Sequence, residues 1–355
     1  MANNYLTYQL GGQSQDSFNA LGKAREDVIT TLESNGWREL QIKGNKISRI
    51  VPKKFSSQVW KFSMMADAWL KSCRLSDGDR IIYQYPDYQC IDKYIIPFFS
   101  KKDVRVEVLI HDLDYMRSDW HTWEYESRIL DYCDIIYVHN DSMLNLLESK
   151  GIPRNKMKTI TLFDYYSSDT MNQCGVDERM MKEIAFAGNL SKSLFIHELH
   201  RVTDSSNIRF KLYGLPVSSL ALSKGIEYAG KFSPEHTGYI SAGWGLVWDG
   251  DSIETCSGKY GQYLTFNSSH KLSLYLACGI PVIVWSGSAM AEWVESNKLG
   301  ITVDSLLELS SRINGVSIKD YNIFSLNAVT IGNELRQGRF LSNAIANKTI
   351  NSIKK

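Results

Sequence analysis

The strongest constraint on this sequence is an alternation of short apolar runs with helix-like segments, which occurs twice along the chain. The strand-like runs of the first half are residues 5–8, 81–83, 104–110, 135–138 and 157–163. Those of the second half are residues 183–187, 210–213, 227–228, 245–248, 281–285 and 301–303. Strands that alternate with helices predict parallel sheets covered by helices on both faces.

The length of the chain indicates two domains. It has 355 residues, whereas one domain usually holds roughly 100 to 200. The polar, irregular stretch after Asp164 is the best candidate for a linker. We therefore expect a domain at residues 1–165, a second at residues 180–335, and a C-terminal helix at residues 336–355 that crosses back to the first domain.

Charge and composition exclude several classes of protein. The formal net charge is +1 and charged residues make up 22% of the chain, so no strong field favours nucleic acid or an anionic bilayer. The start of the sequence lacks the basic and apolar regions of a secretion signal. The longest apolar stretch, residues 272–285, is shorter than the ~20 residues of a membrane helix. We expect no transmembrane segment, no nucleic-acid partner and a cytoplasmic location, with peripheral attachment to the inner face of the membrane left open.

The second half begins with a candidate ligand site. Gly188 and Asn189 follow the strand-like run 183–187, and ligands of open α/β sheets bind beyond the carboxyl ends of strands. Gly188 would let the backbone approach a ligand closely, and Lys192 would supply a positive charge. The alternative is an ordinary turn between a strand and a helix.

A second candidate lies at the start of a predicted helix, residues 271–277. Asn267, Ser268, Ser269, His270 and Lys271 immediately precede or open it. Free N–H groups and the helix dipole make such a start a site for an anion such as phosphate. The alternative is that Ser268 or Ser269 serves only as the N-cap.

A carboxylate follows the next strand. Glu292 lies in the first turn of a predicted helix, residues 290–296. It could accept hydrogen bonds from the two hydroxyls of a ribose, or it could only complement the helix dipole.

Motifs for other nucleotide enzymes are absent from the sequence. There is no G-x-G-x-x-G after the first strand and no G-x-x-x-x-G-K-[ST], which disfavours NAD enzymes and P-loop ATPases. Two D-x-D strings, at residues 112–114 and 249–251, could hold a divalent cation against a diphosphate. We expect no metal and no cofactor, because lysines and a helix start can neutralise a leaving diphosphate themselves.

A general base is expected in the first half. His111, Asp112 and Asp114 follow the strand-like run 104–110, and Asp112 is the first candidate to take a proton from an attacking hydroxyl. Alternatively, Asp112 caps the following segment. Arg117 and the ring-rich residues 120–123 could form a wall on which a sugar stacks, although such residues also commonly serve packing.

These motifs together resemble two related groups of bacterial glycosyltransferases. Residues 186–192, 245–258, 266–267 and 270–271 resemble β-1,6-galactofuranosyltransferases of O-antigen assembly, as do residues 23–25, 111–114 and 163–165 of the first half. Residues 12–14, 36–40, 245–248 and 279–284 are similar to the glucosyltransferases that extend O-linked GlcNAc on serine-rich-repeat adhesins. The likeness covers nearly the whole chain.

The resemblance implies a GT-B fold, in which two Rossmann-like domains face across a cleft and the C-terminal one binds UDP without a metal. The UDP contacts that it implies here fall on Ser14, Ser17 and Phe18, on Lys192, on Tyr228, and on Thr265, Phe266 and the rest of the loop to Lys271. The sequence departs from the adhesin-modifying relatives at Lys192, where they have arginine, and at Phe18, where they have threonine. The first change keeps the charge but loses the guanidinium fork, and the second leaves only a backbone contact.

The resulting hypothesis is an inverting, metal-independent hexosyl transfer from a UDP-sugar to a glycan hydroxyl. The donor is UDP-galactofuranose or UDP-glucose, and the acceptor is a lipid-linked oligosaccharide or a glycoprotein, including an O-GlcNAc-modified serine-rich-repeat protein. Two other classes stay open: a nucleotide-sugar epimerase, which would need a dinucleotide, and a non-catalytic glycan-binding or scaffold subunit. The adhesin-modifying relatives also make a homo-oligomer an open expectation.

Overall fold

The computed structural model describes residues 2–9, 20–44, 53–86, 91–100, 103–117, 121–171, 178–216 and 223–346. The candidate UDP contacts Ser14, Ser17 and Phe18 lie outside these residues. The described residues form two compact units. One comprises the described parts of Met1–Asp16, Ile29–Val138 and Leu144–Thr159, and the other those of Ser17–Val28, His139–Met143 and Ile160–Lys355.

The first unit contains a parallel sheet in the spatial order β2-β1-β3-β4-β5-β6. Its strands are β1 (Asn4–Gln9), β2 (Arg38–Ile42), β3 (Arg80–Tyr85), β4 (Arg105–Ile110), β5 (Ile135–Val138) and β6 (Met157–Thr159). The helices of this half of the sequence are α1 (Ala20–Ser34), α2 (Lys53–Ser72), α3 (Asp92–Phe99), α4 (Asp114–Arg117), α5 (Trp123–Asp131) and α6 (Asp141–Ser149).

Two details of this sheet differ from the sequence prediction. Strand β2 was not predicted, because it lies at the edge of the sheet and its sequence, Arg38 to Ile42, is mostly polar with one buried side chain. The predicted run 157–163 is a strand only as far as Thr159. Thr161 has φ 68°, a left-handed conformation that ends the extended backbone.

The second unit contains a parallel sheet in the order β9-β8-β7-β10-β11-β12. Its strands are β7 (Glu183–Ala187), β8 (Arg209–Tyr213), β9 (Ile226–Gly230), β10 (Trp244–Val247), β11 (Val282–Trp285) and β12 (Gly300–Val303). Its helices are α7 (His200–Thr203), α8 (Gly258–Tyr263), α9 (His270–Ala277), α10 (Ala291–Ser296), α11 (Leu309–Asn314), α12 (Ile318–Arg336) and α13 (Arg339–Ile345). This order is that of a dinucleotide-binding sheet, 3-2-1-4-5-6.

Three strands of this sheet are buried along their whole length. Every residue of β7, β10 and β12 is buried, as expected for parallel strands with helices on both faces. Two apolar clusters lie in this unit, one of which contains most of α9 and the other the side chains of Phe186, Trp244 and Trp248.

The segment after β6 is irregular yet bonded to the C-terminal helix. Residues 164–171 form no helix or strand. The buried Asp164 accepts hydrogen bonds from the N–H groups of Phe340 and Leu341, both at 3.0 Å. These two groups belong to the first turn of α13, so Asp164 satisfies N–H donors that the helix leaves open.

No helix among the described residues is long and apolar enough to cross a bilayer.

Candidate functional site

The order of strands in the second sheet indicates a candidate ligand site. The chain runs outward from β7 to β9 on one side and from β10 to β12 on the other, so the order reverses between β7 and β10. Ala185 of β7 pairs with Gly245 of β10, which places the carboxyl ends of these strands at one level. Ligands of open α/β sheets bind in the crevice beyond such a pair of strand ends. Gly188 follows β7 directly, and Asp249 lies two residues beyond β10.

The side chain of Lys271 reaches this crevice from α9. Its Nζ lies 2.7 Å from both carboxylate oxygens of Asp249 and 5.4 Å from the centre of the Phe186 ring. A Cβ on Gly188 would come within 3.1 Å of Cε of Lys271. Two residues that were predicted separately, Gly188 and Lys271, are therefore in contact, and the absence of a side chain at Gly188 leaves the lysine room.

Helix α9 is held over β7 and β10 by Tyr275. The Tyr275 hydroxyl accepts a hydrogen bond of 2.8 Å from the N–H of Ala187, the last residue of β7. Its ring lies against Gly245, where a Cβ would be 2.1 Å from Cγ of the tyrosine. Glycine in β10 thus lets the helix approach the sheet closely, and this approach sets the position of Lys271.

The structure at the start of α9 shows which of the two serines, Ser268 or Ser269, is the N-cap of the helix. Ser269 has extended backbone angles and its Oγ accepts a 3.4 Å hydrogen bond from the N–H of Lys271, so Ser269 is the N-cap. Ser268 is buried, with 2% of its surface exposed, and bonds elsewhere. Ser269 therefore caps the helix, and Lys271 lies at the positive end of the same helix.

Ser268 is held by two residues that sequence reasoning missed. The N–H of Ser268 donates to Nδ1 of His139 at 3.1 Å, and Nδ2 of Asn140 donates to its Oγ at 3.1 Å. His139 and Asn140 directly follow β5 and are buried. A polar pair at the end of a buried strand was the signal that could have identified them.

An aromatic stack adds to this attachment. The ring of Phe163 contacts His139 edge-on, with centroids 4.9 Å apart, and stacks on His270 at 4.7 Å. The loop that opens α9 is thus attached at Ser268 through hydrogen bonds and at His270 through ring contacts. We call His139, Asn140 and Phe163 the loop clamp.

The remaining part of this loop forms a tight turn after α8. Thr265 Oγ1 donates to the carbonyl oxygen of Gln262 at 2.7 Å, and the N–H groups of Phe266 and Asn267 donate to the carbonyl oxygen of Tyr263 at 3.0 and 3.1 Å.

The buried polar atoms near this loop that have no hydrogen-bond partner among the described residues include Oδ1 of Asn267 and Oγ of Ser288. Ser288 belongs to the turn after β11, and the N–H of its neighbour Ala289 donates to the carbonyl oxygen of Leu264 at 2.9 Å. Because buried polar groups are normally paired, these two atoms are candidates for ligand contacts.

The side-chain amide of Asn189 stabilises the turn after β7 and does not face a ligand. Its Oδ1 accepts hydrogen bonds from the N–H and the hydroxyl of Ser191, at 3.1 and 2.7 Å. Lys192 is exposed, and its Nζ lies 5.5 Å from the centre of the Tyr260 ring.

Tyr228 is connected to the crevice through one intervening residue, Gly214. Its hydroxyl donates to the carbonyl oxygen of Gly214 at 2.9 Å. Gly214 in turn packs on the turn after β7, since a Cβ there would lie 2.2 Å from the carbonyl oxygen of Gly188. The structure connects Tyr228 to Gly188 through this glycine.

Glu292 is exposed in the first turn of α10. It forms no hydrogen bond or ion pair within the part of the chain that the structure describes. The carboxylate is therefore available to a ligand, and the structure does not bring it into contact with the other predicted residues.

The string at residues 249–251 forms a turn that directs Asp249 at Lys271. Gly250 has φ 112°, and a Cβ there would lie 2.2 Å from the carbonyl oxygen of Ser257. Asp251 is exposed and lies beside Gly258. The two carboxylates therefore have different neighbours, and that of Asp249 is occupied by the lysine.

The carboxyl end of β4 carries the three candidate bases. Asp112 forms an ion pair with Arg117. The buried His111 has its Nε2 2.8 Å from Oε1 of Gln84. Asp114 Oδ2 lies 3.2 Å from Nδ1 of His121. Each candidate therefore has a different partner.

A buried carboxylate supports Asp114. Glu126 has no exposed surface, and its Oε1 accepts hydrogen bonds from the Asp114 N–H at 2.7 Å and the Tyr85 hydroxyl at 3.0 Å. Burial raises the pKa of Glu126 to about 7. Neither Glu126 nor the contact between His121 and Asp114 was predicted, because the cluster forms only when α5 folds against the end of β4.

The ring-rich segment before α5 is used in packing. The His121 ring stacks on Tyr125 with centroids 4.2 Å apart, and Trp123 packs on Tyr115 at 5.3 Å. For these two rings the packing alternative applies. Trp120 lies outside the described residues.

Comparison with known proteins gives the family. The N-terminal domain of the glucosyltransferase 3-like family matches residues 3–162, and its C-terminal domain matches residues 184–348. The chain belongs to the glucosyltransferase 3-like family. It is 33% identical to the β-1,6-galactofuranosyltransferase WbbI of Escherichia coli (strain K12) over 77% of this chain and 80% of that protein. It is 24% identical to glucosyltransferase 3 of Streptococcus parasanguinis over 98% of both.

Solved structures support the fold. HepE of Anabaena, determined in complex with UDP-glucose, matches with a TM-score of 0.60 at 11% identity and covers 98% of this chain and 99% of its own. Sucrose-phosphate synthase from Thermosynechococcus elongatus also gives a TM-score of 0.60, at 13% identity, covering 98% and 97%. At these identities the likeness concerns the fold alone. The predicted GT-B class and the assignment as a glycosyltransferase are confirmed.

Proposed function

We propose that this family member transfers a hexosyl group from a UDP-sugar to a hydroxyl group of a glycan, with inversion at the anomeric carbon and without a metal. The observation that carries the proposal is the position of Lys271, whose ammonium group lies beside Gly188 at the reversal point of the second sheet. A single positive charge at a helix start, in a crevice formed by strand ends, suits a diphosphate.

Each residue of the proposed site has a role that follows from its position. Lys271 and the start of α9 bind the diphosphate and stabilise it as it leaves. Lys192, which is exposed, adds a second charge. Asn267 and Ser288 supply buried polar atoms for the nucleotide or the sugar, and Glu292 accepts hydrogen bonds from the ribose.

The two halves of the chain have different tasks in this proposal. The C-terminal domain, residues 180–335, binds the nucleotide-sugar, and the N-terminal domain, residues 1–165, acts on the acceptor. Three relatives support the choice of donor. WbbI is named a galactofuranosyltransferase, which supports UDP-galactofuranose as the donor here, and the two streptococcal proteins are named glucosyltransferases, which supports UDP-glucose. The acceptor is a lipid-linked oligosaccharide in the first case and an O-GlcNAc-modified protein in the second.

Release of UDP from a panel of UDP-sugars tests the proposal. The purified chain is incubated with UDP-galactofuranose, UDP-glucose and UDP-galactose, with and without each acceptor, in the presence of EDTA. We expect acceptor-dependent UDP release from one of the first two donors, at a rate that EDTA leaves unchanged. Saturable UDP-sugar binding without UDP release would show a non-catalytic subunit. Loss of activity in EDTA would contradict metal independence.

A further inference from the structure

The cluster at the carboxyl end of β4 contains a histidine beside a carboxylate, which is the arrangement of a histidine general base that a carboxylate orients. Nδ1 of His121 lies 3.2 Å from Oδ2 of Asp114. A carboxylate accepts the proton of Nδ1–H, and in a neutral imidazole this leaves the lone pair on Nε2. No hydrogen bond engages Nε2 of His121 within the described residues.

The ring of His121 is fixed in place. It lies parallel to the Tyr125 ring, with an angle of 4° between the planes, and 7% of the side chain is exposed. Only an edge of the imidazole is therefore accessible. A base that is held in one orientation loses little entropy when it meets its substrate.

Asp114 is fixed from the other side. Its N–H donates to the buried Glu126 at 2.7 Å, and the same oxygen of Glu126 accepts the Tyr85 hydroxyl. The chain of contacts runs from Tyr85 through Glu126 and Asp114 to His121. Buried polar groups that are bonded in series restrict one another, which is how catalytic side chains are kept in position.

The other two candidates at this strand end are less suited to accept a proton. Asp112 is ion-paired with Arg117, so its carboxylate already has a cationic partner. His111 is buried and its Nε2 already has Gln84 as a partner.

We propose that His121 is the catalytic base of the transfer and that Asp114 is its positioning residue. The proposal rests on the function proposed above. Nε2 of His121 takes the proton of the acceptor hydroxyl as its oxygen forms a bond to the anomeric carbon. The bond from that carbon to the diphosphate oxygen breaks, and its electron pair leaves with UDP. Asp114 stabilises the imidazolium until the proton passes to water.

The charged and titratable groups around the base are on three helices. Asp114 belongs to α4, Glu126 and Tyr125 to α5, and Lys93 of α3 lies 5.3 Å from the centre of the Tyr125 ring.

The test compares His121→Gln and Asp114→Asn with His197→Gln, which changes an exposed histidine of the second unit. For His121→Gln we expect kcat for acceptor-dependent UDP release to fall by about 10²- to 10⁴-fold. The affinity for UDP should stay within a factor of two. We expect the wild-type rate to depend at low pH on one deprotonated group, and this dependence should disappear in His121→Gln. Asp114→Asn should lower kcat with the same unchanged affinity, and His197→Gln should behave as the wild type.

A further variant separates catalysis from structure. Added imidazole should restore part of the turnover of His121→Gly, which a purely structural role would not allow. Wild-type turnover in His121→Gln would overturn the inference and leave the proposed function intact, whereas a wild type that releases no UDP would refute the function itself. One atom from each of Asp114, His121 and Glu126 lies within 4.8 Å of the others. Turnover that depends on added Zn²⁺ and is lost with a chelator would also overturn the assignment of His121 as the base. It would indicate a metal site at these three residues instead.

Discussion

Nζ of Lys271 lies 2.7 Å from both carboxylate oxygens of Asp249. The lysine lies in the first turn of α9 and the aspartate follows β10, so this ion pair connects a helix start to the strand end where the sheet order reverses. The side chains are 15% and 25% exposed. An ammonium group that is held in this way is already in place when an anionic ligand arrives, which reduces the entropy cost of binding.

Removing the carboxylate of Asp249 should destabilise the protein. In Asp249→Asn the partly buried Lys271 loses its charged partner, and we expect the free energy of unfolding to fall by about 1 to 3 kcal/mol. Asp251→Asn is the matched control, because Asp251 is exposed in the same turn, and its effect should stay below about 0.5 kcal/mol. Urea denaturation measures both. Equal effects of the two substitutions would show that the ion pair contributes nothing.

Lys192 should contribute to nucleotide binding through charge alone. Because this lysine is exposed, Lys192→Ala should weaken the binding of UDP by about 3- to 10-fold, and Lys192→Arg should preserve or improve it since the guanidinium can donate two parallel bonds to a phosphate. Fluorescence titration with UDP measures the affinities. Lys224→Ala, at another exposed position of the second unit, controls for net charge, and an equal loss there would remove the specific role of Lys192.

The loop clamp should affect donor binding indirectly, because it holds the loop that opens α9. In His139→Leu the buried N–H of Ser268 loses its acceptor, which costs about 1 to 3 kcal/mol. We expect the KM for the UDP-sugar to rise and the protein to melt at a lower temperature, with part of the loss recovered by saturating UDP. His236→Gln changes an exposed histidine and should leave KM unchanged. A destabilised His139→Leu with wild-type KM would show that the clamp serves only the fold.

The hydroxyl of Tyr275 should stabilise the contact between α9 and β7. Tyr275→Phe leaves the buried N–H of Ala187 without an acceptor, so the free energy of unfolding should decrease by about 1 to 3 kcal/mol. Tyr239→Phe, at a tyrosine that is 69% exposed, should have little effect. Chemical denaturation of both variants is the measurement, and a neutral Tyr275→Phe would argue against this bond.

The raised pKa of Glu126 predicts how the stability of the protein depends on pH. Burial raises the pKa of Glu126 from 4.5 to about 7, so the folded state binds this proton more tightly than the unfolded state. The resulting stabilisation is complete below about pH 4.5 and is lost as the pH rises to about 7, with a slope of at most about 1.4 kcal/mol per pH unit. Glu126→Gln should flatten the curve of unfolding free energy between these values. An unchanged slope in the variant would assign the dependence to other groups.

The sequence predicted the fold more completely than the site. Apolar runs such as 183–187 and 281–285 are strands because parallel strands are buried on both faces, and this leaves a clear pattern. The edge strand β2 was not predicted because its side chains are mostly polar, only one of them is buried, and they follow no apolar pattern. Gly188 and Lys271 could be predicted as site residues from their places in the sequence alone. Gly188 directly follows a strand, and Lys271 lies at the start of a helix.

The partners of the site residues could not be predicted in the same way. Asp249 and Lys271 are 22 residues apart, and His139 and Ser268 are 129 apart. Such pairs depend on strand order and on how α9 packs over Gly245, neither of which a local pattern contains. The role of Glu126 was also hidden, because a lone glutamate in a helix normally faces solvent.

Calorimetric titration of UDP into the wild type, Lys271→Ala and Lys319→Ala tests the central claim most directly. Both lysines are the second residue of a helix with a serine N-cap, Ser269 for α9 and Ser317 for α12, but Lys319 is exposed and distant in sequence from the strand ends. Loss of a charged hydrogen bond of about 1.5 to 3 kcal/mol predicts roughly 10- to 150-fold weaker binding for Lys271→Ala. Lys319→Ala should bind UDP as the wild type does. Equal affinities for all three proteins, or no binding by the wild type, would contradict a nucleotide-sugar site at the start of α9.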